Sequence, residues 1–520
     1  MKKQILRKVV SISLIIILIL IGLNLSAYAS ITESTNTGSI TVSGLEAGVT
    51  AYLYQLTTVT YNYTSDQPQV PVYQWVEGIR EWVATNYPDY IDTSDGEVTD
   101  EFSDSTDAAN SATTFYSELI SAIKAGTVTL SVSDSQTASG TASYPVTEDI
   151  ADNSVTFEDC EMGTYLIIVE NGYRVYTPVV VNLTPTFDET TSEWILEDVS
   201  AEAKSTAPQI TKSVTDDETT EDNYSTKDTI SYTIVADIPN YEADSLATTY
   251  KISDVLNDGL LVNSNSIIVK GDSTTLSEGT EYELTVADDL KSFELVFDYD
   301  LISSYEEITA AYTTQLSYDS TTVLGSEGNG NVATLTYSNN PYVASSVQEQ
   351  SEPGVTVYTY GIDVTKVNKS DYSEVLEGAE FTLSEDGSIL YFVLTDGVYY
   401  QANSSDSGAT TTLVTDENGK LYIYGLDTGT YTLTETKAPD EYNLAESSVD
   451  ITITDDDVDG ALDDDTSTTG IYSITFTNSK TFQLPLTGGT GTIIFVVVGT
   501  VLIVLGAILL VTRAVKRKAK

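Results

Sequence analysis

Short segments of alternating apolar and polar residues run through most of this chain, and two of them place a lysine on the apolar side. Alternate residues of a β-strand face the same side of its sheet. Ile362 and Val364 therefore share a face with Lys366, and Ile210 shares one with Lys212. Many short strands separated by Gly, Asn and Asp turns predict β-sandwiches, so both amines are expected inside a core.

The same alternation places an acid and an asparagine in each of the two cores. An unpaired charged amine buried there would cost several kcal/mol. These polar residues are therefore expected to act on one another rather than to lie apart. The six inward-facing polar residues are Lys366, Glu435 and Asn478 in one unit, and Lys212, Asp254 and Asn331 in the other.

Burial favours the neutral forms of these groups, because it lowers the pKa of a lysine and raises that of a carboxyl. A neutral amine is a nucleophile, and a protonated carboxyl can polarise an amide carbonyl and relay protons. In each set the lysine is expected to join the asparagine in an isopeptide bond with loss of ammonia, assisted by Glu435 or Asp254. Each bond would tie the first strand of its domain to the last. The alternative is a buried salt bridge beside a hydrogen-bonded asparagine.

The end of the chain combines a short motif, an apolar span and a basic tail. Residues 493–512 carry no charge, and about 20 helical residues cross a hydrocarbon core of ~30 Å. The basic tail holds the helix end on the cytoplasmic side. A membrane anchor after a chance pentapeptide is the alternative interpretation. The motif consists of Leu484, Pro485, Leu486, Thr487 and Gly488, and the basic residues are Arg513, Lys516, Arg517, Lys518 and Lys520.

The beginning of the chain has the pattern of a secretory signal. Basic residues precede an apolar run over residues 9–25, and Ala27 and Ala29 form a small-x-small cleavage site. Such a segment is removed on export, and the remaining length predicts about three domains at ~150 residues each. The predicted boundaries are 1–29 for the signal peptide, 30–204, 205–343 and 344–482 for three β domains, and 483–520 for the sorting signal.

Composition limits the functions that are open to this chain. The 78 acidic residues outnumber the 23 basic ones, and nucleic acid is a poor partner for such a surface. Histidine is absent and Cys160 is the single cysteine. The sequence therefore excludes Ser-His-Asp and Cys-His catalytic sets, zinc sites that use histidine, and an intrachain disulfide. No turnover enzyme, cofactor or metal is expected. Residues 455–460 match the start of a calcium loop, but Thr466 replaces the bidentate glutamate, which favours a solvated acidic turn.

The first β domain differs from the other two. Apolar residues at helical spacing after Trp75 and around Phe115 predict a helical insertion. Its only lysine before Lys204 is Lys124, on a predicted helix, and Glu170 has the parity of an outward-facing residue. This domain is therefore expected to lack an internal isopeptide bond.

Three groups of residues resemble Gram-positive surface proteins. The motif at 484–488 with its span and tail resembles the wall-sorting signal. Residues 431–439 (YTLTETKAP), with 378–381 (GAEF), resemble Cna-B-type domains of pilins and adhesins, in which the glutamate of this box assists the intramolecular bond. Residues 252–254 and 331–341 resemble the Cna-A-type isopeptide domain of the same pilins. The resemblance implies a mainly β chain of tandem Ig-like sandwiches with a C-terminal transmembrane helix.

The same resemblance implies a role for the chain. In the family a sortase cleaves between the positions of Thr487 and Gly488 and passes the threonyl carbonyl to an amine. Backbone pilins supply that amine from a lysine that ends the first domain. Lys204, after Trp194, corresponds to it, although the usual Tyr-Pro pair before the lysine is missing and an ordinary linker lysine is the alternative.

The expected protein is thus the major subunit of a covalent pilus on a Gram-positive cell wall. Its expected partners are sortase, identical subunits, peptidoglycan, accessory pilins and a host surface ligand. A monomeric wall-anchored adhesin that displays its first domain on a stalk is the alternative.

Overall fold

The computed structural model describes most of the chain between the two targeting segments. The signal peptide, the pentapeptide motif at 484–488 and the acidic loop at 455–466 lie outside the described residues. Those residues are 37–63, 68–104, 108–141, 153–184, 186–188, 193–214, 219–241, 245, 247–445, 447–454, 470–481 and 490–518.

The first domain contains two main sheets that enclose a core of aliphatic and aromatic side chains. In one sheet Thr37–Leu45 lies between Asn153–Glu161 and, in parallel, Val199–Glu202. In the other, Thr50–Gln55 lies between Asp134–Thr137 and Gly163–Glu170, and Val179–Leu183 closes the edge. The remaining strands form two-stranded pairs: Thr57–Tyr63 with Pro68–Trp75, Thr186–Asp188 with Glu193–Ile195, and Val175–Tyr176 with Ser205–Thr206.

A helical insertion covers one side of the first domain, as the apolar spacing predicts. Its helices are Glu77–Asn86, Asp100–Asp104 and Ala108–Lys124. Trp75 and Phe115 are fully buried at its centre, with their rings 5.5 Å apart. The indole N–H of Trp75 donates to the Tyr90 carbonyl at 2.9 Å, so the polar atom of this large side chain is satisfied.

The second domain is a sandwich of two larger sheets. Strands of both sheets alternate buried and exposed residues, which is the pattern of a sheet with one solvated face. One sheet has Ile210–Val214, Ile230–Asp237, Leu260–Val262, Ile268–Gly271, Thr274–Thr275 and Glu307–Leu316. The other has Glu221–Asn223, Tyr250–Leu256, Tyr282–Val286, Ser292–Phe297, Asn329–Ser338, Val347–Ser351 and Val355–Tyr358, and a short helix covers Tyr299–Ile302.

This sandwich extends beyond its predicted end at residue 343. Val347–Ser351 and Val355–Tyr358 both pair with Asn329–Ser338, so the predicted boundary falls inside a sheet. Two compact units divide the chain after Tyr358, and the segment Leu324–Ser326 packs with the second unit. Asn331 therefore does not lie on the last strand of its domain, contrary to the prediction from the sequence.

The third domain is again a two-sheet sandwich. Its first strand, Tyr360–Asn368, pairs in parallel with its last strand, Ile471–Asn478. The same sheet includes Asp371–Val375, Tyr391–Thr395, Val398–Ala402 and Lys420–Leu426. The facing sheet includes Glu380–Glu385, Ser388–Ile389, Leu413–Val414, Gly429–Lys437 and Val449–Ile453.

A single long helix, Thr490–Lys518, follows the third domain. Its segment Ile494–Val515 is long and apolar enough to cross a membrane, with a mean hydropathy of 3.2. This agrees with the span that the sequence predicts.

Replacing Trp75 by alanine tests the role of the insertion core. A buried aromatic side chain contributes about 3–5 kcal/mol to the free energy of unfolding, and Trp75→Ala is expected to lose that amount from the first domain. Urea unfolding followed by the fluorescence of Trp82 measures it. The control is Val132→Ala at an exposed position, which should change stability by less than about 0.5 kcal/mol. Equal stability of the two variants would contradict the packing described.

Candidate functional site

The second domain brings its three predicted site residues together between the sheets. Lys212 comes from one sheet, whereas Asp254 and Asn331 come from the other. The lysine amine is bonded to Asp254 Oδ1, and both side chains are 0% exposed. The strand alternation therefore predicted the direction of all three side chains correctly.

Tyr312 completes this site, although strand alternation alone does not predict its part in it. Its hydroxyl donates to Asp254 Oδ2 at 2.5 Å and accepts from Asn331 Nδ2 at 2.8 Å. It comes from the buried face of Glu307–Leu316. Because the hydroxyl contacts both the acid and the carboxamide, it can pass a proton between them.

Burial controls the ionisation of this site. It lowers the pKa of Lys212, opposed by the nearby Asp254 carboxylate, and it raises the pKa of Asp254. Burial also raises the pKa of Tyr312 well above its usual value, so the phenol keeps its proton. Both shifts in the ion pair favour a neutral amine beside a neutral acid. The rings of Tyr232 and Tyr312 lie 5.3 and 5.7 Å from the amine and limit access of water.

The third domain brings Lys366, Glu435 and Asn478 together. Lys366 and Asn478 lie on the adjacent parallel first and last strands, and Glu435 reaches them from the facing sheet. Lys366 Nζ is 3.4 Å from Glu435 Oε1, and both side chains are 0% exposed. Asn478 Nδ2 donates to Glu435 Oε2 at 2.7 Å. One carboxyl oxygen therefore faces the amine and the other faces the carboxamide.

Several polar atoms of this third-domain site have no hydrogen-bond partner among the described residues. They are Lys366 Nζ, Glu435 Oε1 and Asn478 Oδ1. A charged amine in this state would be strongly unfavourable, and burial lowers the pKa of Lys366. An amide bond between the Lys366 nitrogen and the Asn478 carboxamide carbon would leave an uncharged nitrogen in the core.

Near the surface of the third domain, the same residue types form a different arrangement. Lys480 Nζ is 2.9 Å from Glu374 Oε1, and Asn368 Nδ2 donates to Glu374 Oε2 at 2.7 Å. The lysine and glutamate side chains are 54% and 39% exposed. The hydrogen bond from Lys480 is the largest cause that lowers the pKa of Glu374 to about 2. This set is an ordinary ion pair, so exclusion of water distinguishes the two buried sites.

The remaining predicted residues occupy separate places. Lys204 is exposed between the short strands Val199–Glu202 and Ser205–Thr206, and its carbonyl accepts from the Thr177 N–H at 2.9 Å. In the first domain Glu170 has the opposite parity to the core residues Tyr165, Ile167 and Val169, as the sequence predicts. The sequence did not predict the contact on that face, where Lys124 Nζ, at the end of its helix, lies 2.6 Å from Glu170 Oε1.

Comparisons with known proteins agree with this architecture. Residues 361–467 match the SpaA family, described as a Prealbumin-like fold domain, and residues 477–520 match the LPXTG cell wall anchor motif. The solved T6 backbone pilin of serotype M6 Streptococcus pyogenes has a TM-score of 0.58 and 20% identity, covering 82% of this chain and 81% of that one. The full-length major pilin SpaD from Corynebacterium diphtheriae gives 0.53 and 18%, covering 87% and 99%.

This chain has the fold of the Gram-positive major pilins. With its LPXTG anchor, it is a cell-wall-anchored surface protein. In sequence, it is 28% identical to the trypsin-resistant surface T6 protein of Streptococcus pyogenes, over 54% of this chain and 53% of that protein. The match thus spans about half of the length of this curated relative.

Replacing Tyr312 by phenylalanine tests its place in the second-domain site of this pilin fold. Loss of the hydroxyl removes the link between Asp254 and Asn331, so the predicted Lys212–Asn331 bond should form about 10²-fold more slowly, as expected for a lost proton relay. The loss of ammonia, followed by intact mass after synthesis, measures the rate. Bond formation in the third domain should be unchanged in the same sample, and an unchanged rate in the second domain would exclude the relay.

Proposed function

We propose that this chain is the major subunit of a covalent surface pilus, stiffened by Lys366–Asn478 and Lys212–Asn331 isopeptide bonds. The observation that carries the proposal is the burial of an amine, an acid and a carboxamide in each of two successive sandwiches. The fold shared with major pilins and the LPXTG anchor support the same role. Apart from this single-turnover chemistry on itself, the chain is a structural protein.

Bond formation in the third domain follows from the placement of the Glu435 oxygens. Glu435 Oε1 accepts a proton from Lys366, and the neutral amine attacks Asn478 Cγ. Glu435 Oε2, which already contacts Nδ2, passes that proton to the leaving nitrogen, and the carboxylate then takes the second proton from Nζ as ammonia departs. In the second domain Asp254 takes this role, with Tyr312 between the acid and the leaving nitrogen.

The crosslinks would differ in their mechanical effect. Each closes a loop of roughly a hundred residues, for which the chain-entropy treatment of crosslinks gives about 4.7 kcal/mol. In the third domain the bond ties the first strand to the last, so tension would bypass the hydrogen bonds between strands. In the second domain two strands follow the one that carries Asn331. Tension would still pass through the hydrogen bonds of those two strands, so the crosslink would protect only part of the domain.

Polymerisation would use two sites, the lysine Lys204 after the first domain and the motif at 484–488. A sortase would cleave between Thr487 and Gly488 and transfer the threonyl carbonyl to Lys204 of the next subunit or, at the base, to peptidoglycan. The exposed linker position of Lys204 suits this reaction, because an amine must enter the enzyme's site. Accessory pilins and a host surface ligand would be the further partners.

Replacing Glu435 by alanine tests the chemistry of the third domain. The variant should retain one more ammonia than the wild type after correction for the substitution, because proton transfer to the leaving nitrogen is lost. Its third domain should also lose up to about 4.7 kcal/mol of stability. Intact mass of the full chain measures the first effect, with Glu374→Ala in the surface set as the matched control. A full ammonia loss in Glu435→Ala would contradict the assigned role.

Replacing Lys204 by alanine tests the polymerisation site. Wall extracts of the wild type should give a ladder of detergent-resistant polymers on a denaturing gel, and Lys204→Ala should give monomer only. Lys270→Ala, which removes another exposed lysine, should leave the ladder intact. A ladder in Lys204→Ala would exclude this lysine as the linking amine, and a wild type without any ladder would favour the monomeric adhesin.

A further inference from the structure

We propose that a third isopeptide bond joins the first domain to the second, between Lys124 and Asn340, with Glu170 as the assisting acid. The inference rests on the chemistry proposed above for the two buried sites, but it concerns a junction between domains. Its basis is that one amine, one carboxylate and one carboxamide meet where these two domains touch.

The geometry brings the amine, the acid and the carboxamide together. Lys124, the last residue of its helix, places Nζ 2.6 Å from Glu170 Oε1. Asn340 Nδ2 donates to the same oxygen at 3.0 Å, so the amine and the carboxamide converge on one acid. The Tyr342 N–H donates to Asn340 Oδ1 at 3.1 Å. That donor polarises the amide and would stabilise the oxyanion formed on attack.

The surroundings of Lys124 are similar to those of the buried second-domain lysine. The rings of Tyr52 and Tyr54 lie 5.3 and 5.8 Å from its amine, just as two tyrosine rings flank Lys212. Asn340 is buried. Aromatic walls of this kind restrict water around the amine and the amide.

In burial this set lies between the two buried sites and the surface ion pair. The side chains of Lys124 and Glu170 are 17% and 22% exposed, against 54% and 39% for Lys480 and Glu374. Burial lowers the pKa of Lys124, but Glu170 and Tyr54 together raise it by more, so the pKa lies above its usual value. A proton must therefore pass to Glu170 before attack, so this bond should form more slowly than the other two.

The chain around Asn340 is fixed on the first domain before any bond forms. Asn339 Nδ2 donates to the Gly172 carbonyl at 3.0 Å, and the Tyr337 hydroxyl donates to the Tyr173 carbonyl. Tyr342 is buried in the core of the helical insertion. Such fixed positions favour reaction, since the entropy of bringing the groups together has already been lost.

The reaction is balanced without any outside reagent. Lys124 Nζ bonds to Asn340 Cγ, and the Cγ–Nδ2 bond breaks. Glu170 takes one proton from the Lys124 ammonium before attack and passes it to Nδ2. It then takes the second proton from Nζ and gives it to the departing ammonia, which leaves as ammonium, so the carboxylate is regenerated. The product would keep the first domain attached to the second even after cleavage of the linker at Lys204.

Peptide mapping of the full chain tests this inference. The chain, purified in detergent, is denatured and digested, and the digest is searched for a branched peptide that joins Lys124 to Asn340 and lacks one ammonia. Wild-type protein should contain it. Lys124→Arg keeps the positive charge beside Glu170 but lacks the amine, and Glu170→Ala lacks the acid, so both variants should lose this peptide and retain the Lys212–Asn331 peptide.

The outcomes separate this inference from the proposed function. If the Lys212–Asn331 and Lys366–Asn478 peptides are present but Lys124–Asn340 is not, the interdomain bond is excluded and the other two bonds stand. Absence of all three peptides would overturn the shared chemistry. A branched peptide between Lys480 and Asn368, the surface set, would contradict the argument that exclusion of water selects the reactive sites.

Discussion

Removal of water from two lysine amines is the constraint on which the rest of this structure depends. Lys212 and Lys366 lie in sandwich cores where an ammonium ion is unfavourable, and their acids are close enough to exchange protons with them. The surface set around Glu374 has the same residue types and remains a pair of ions. The proposed chemistry therefore depends on where the sheets place these residues.

The two sandwiches place their reactive sets differently, and the difference affects how each would carry load. The third domain joins adjacent parallel first and last strands, so its crosslink would lie directly between the ends of the domain. In the second domain the proposed crosslink would join the two sheets, and Val347–Ser351 and Val355–Tyr358 follow the strand that carries Asn331. Those strands are held by pairing with Asn329–Ser338 and by the packing of Val355 and Val357 in the core. Asn339 and Asn340, just after the strand that carries Asn331, also bind the first domain through hydrogen bonds.

Much of the fold and of both sites could be predicted from the sequence, because regular strands fix the direction of every second side chain. The inward faces of Lys212, Lys366 and their partners follow from that rule. Tyr312 also obeys it, but its contact with Asp254 depends on how two sheets are placed across the core, which alternation does not reveal. Asn340 lies in an irregular segment after a strand, where parity has no meaning. The second-domain boundary predicted at 343 lies too early, because Val347–Ser351 and Val355–Tyr358 return to pair with Asn329–Ser338.

A crystal structure of the mature protein would test the central claim most directly. In the second and third domains the distance from lysine Nζ to asparagine Cγ should equal an amide bond, about 1.33 Å, with continuous electron density and no Nδ2 atom. Separated side chains, with Nζ and Cγ at or beyond about 3 Å, the scale of a non-bonded contact, would contradict it.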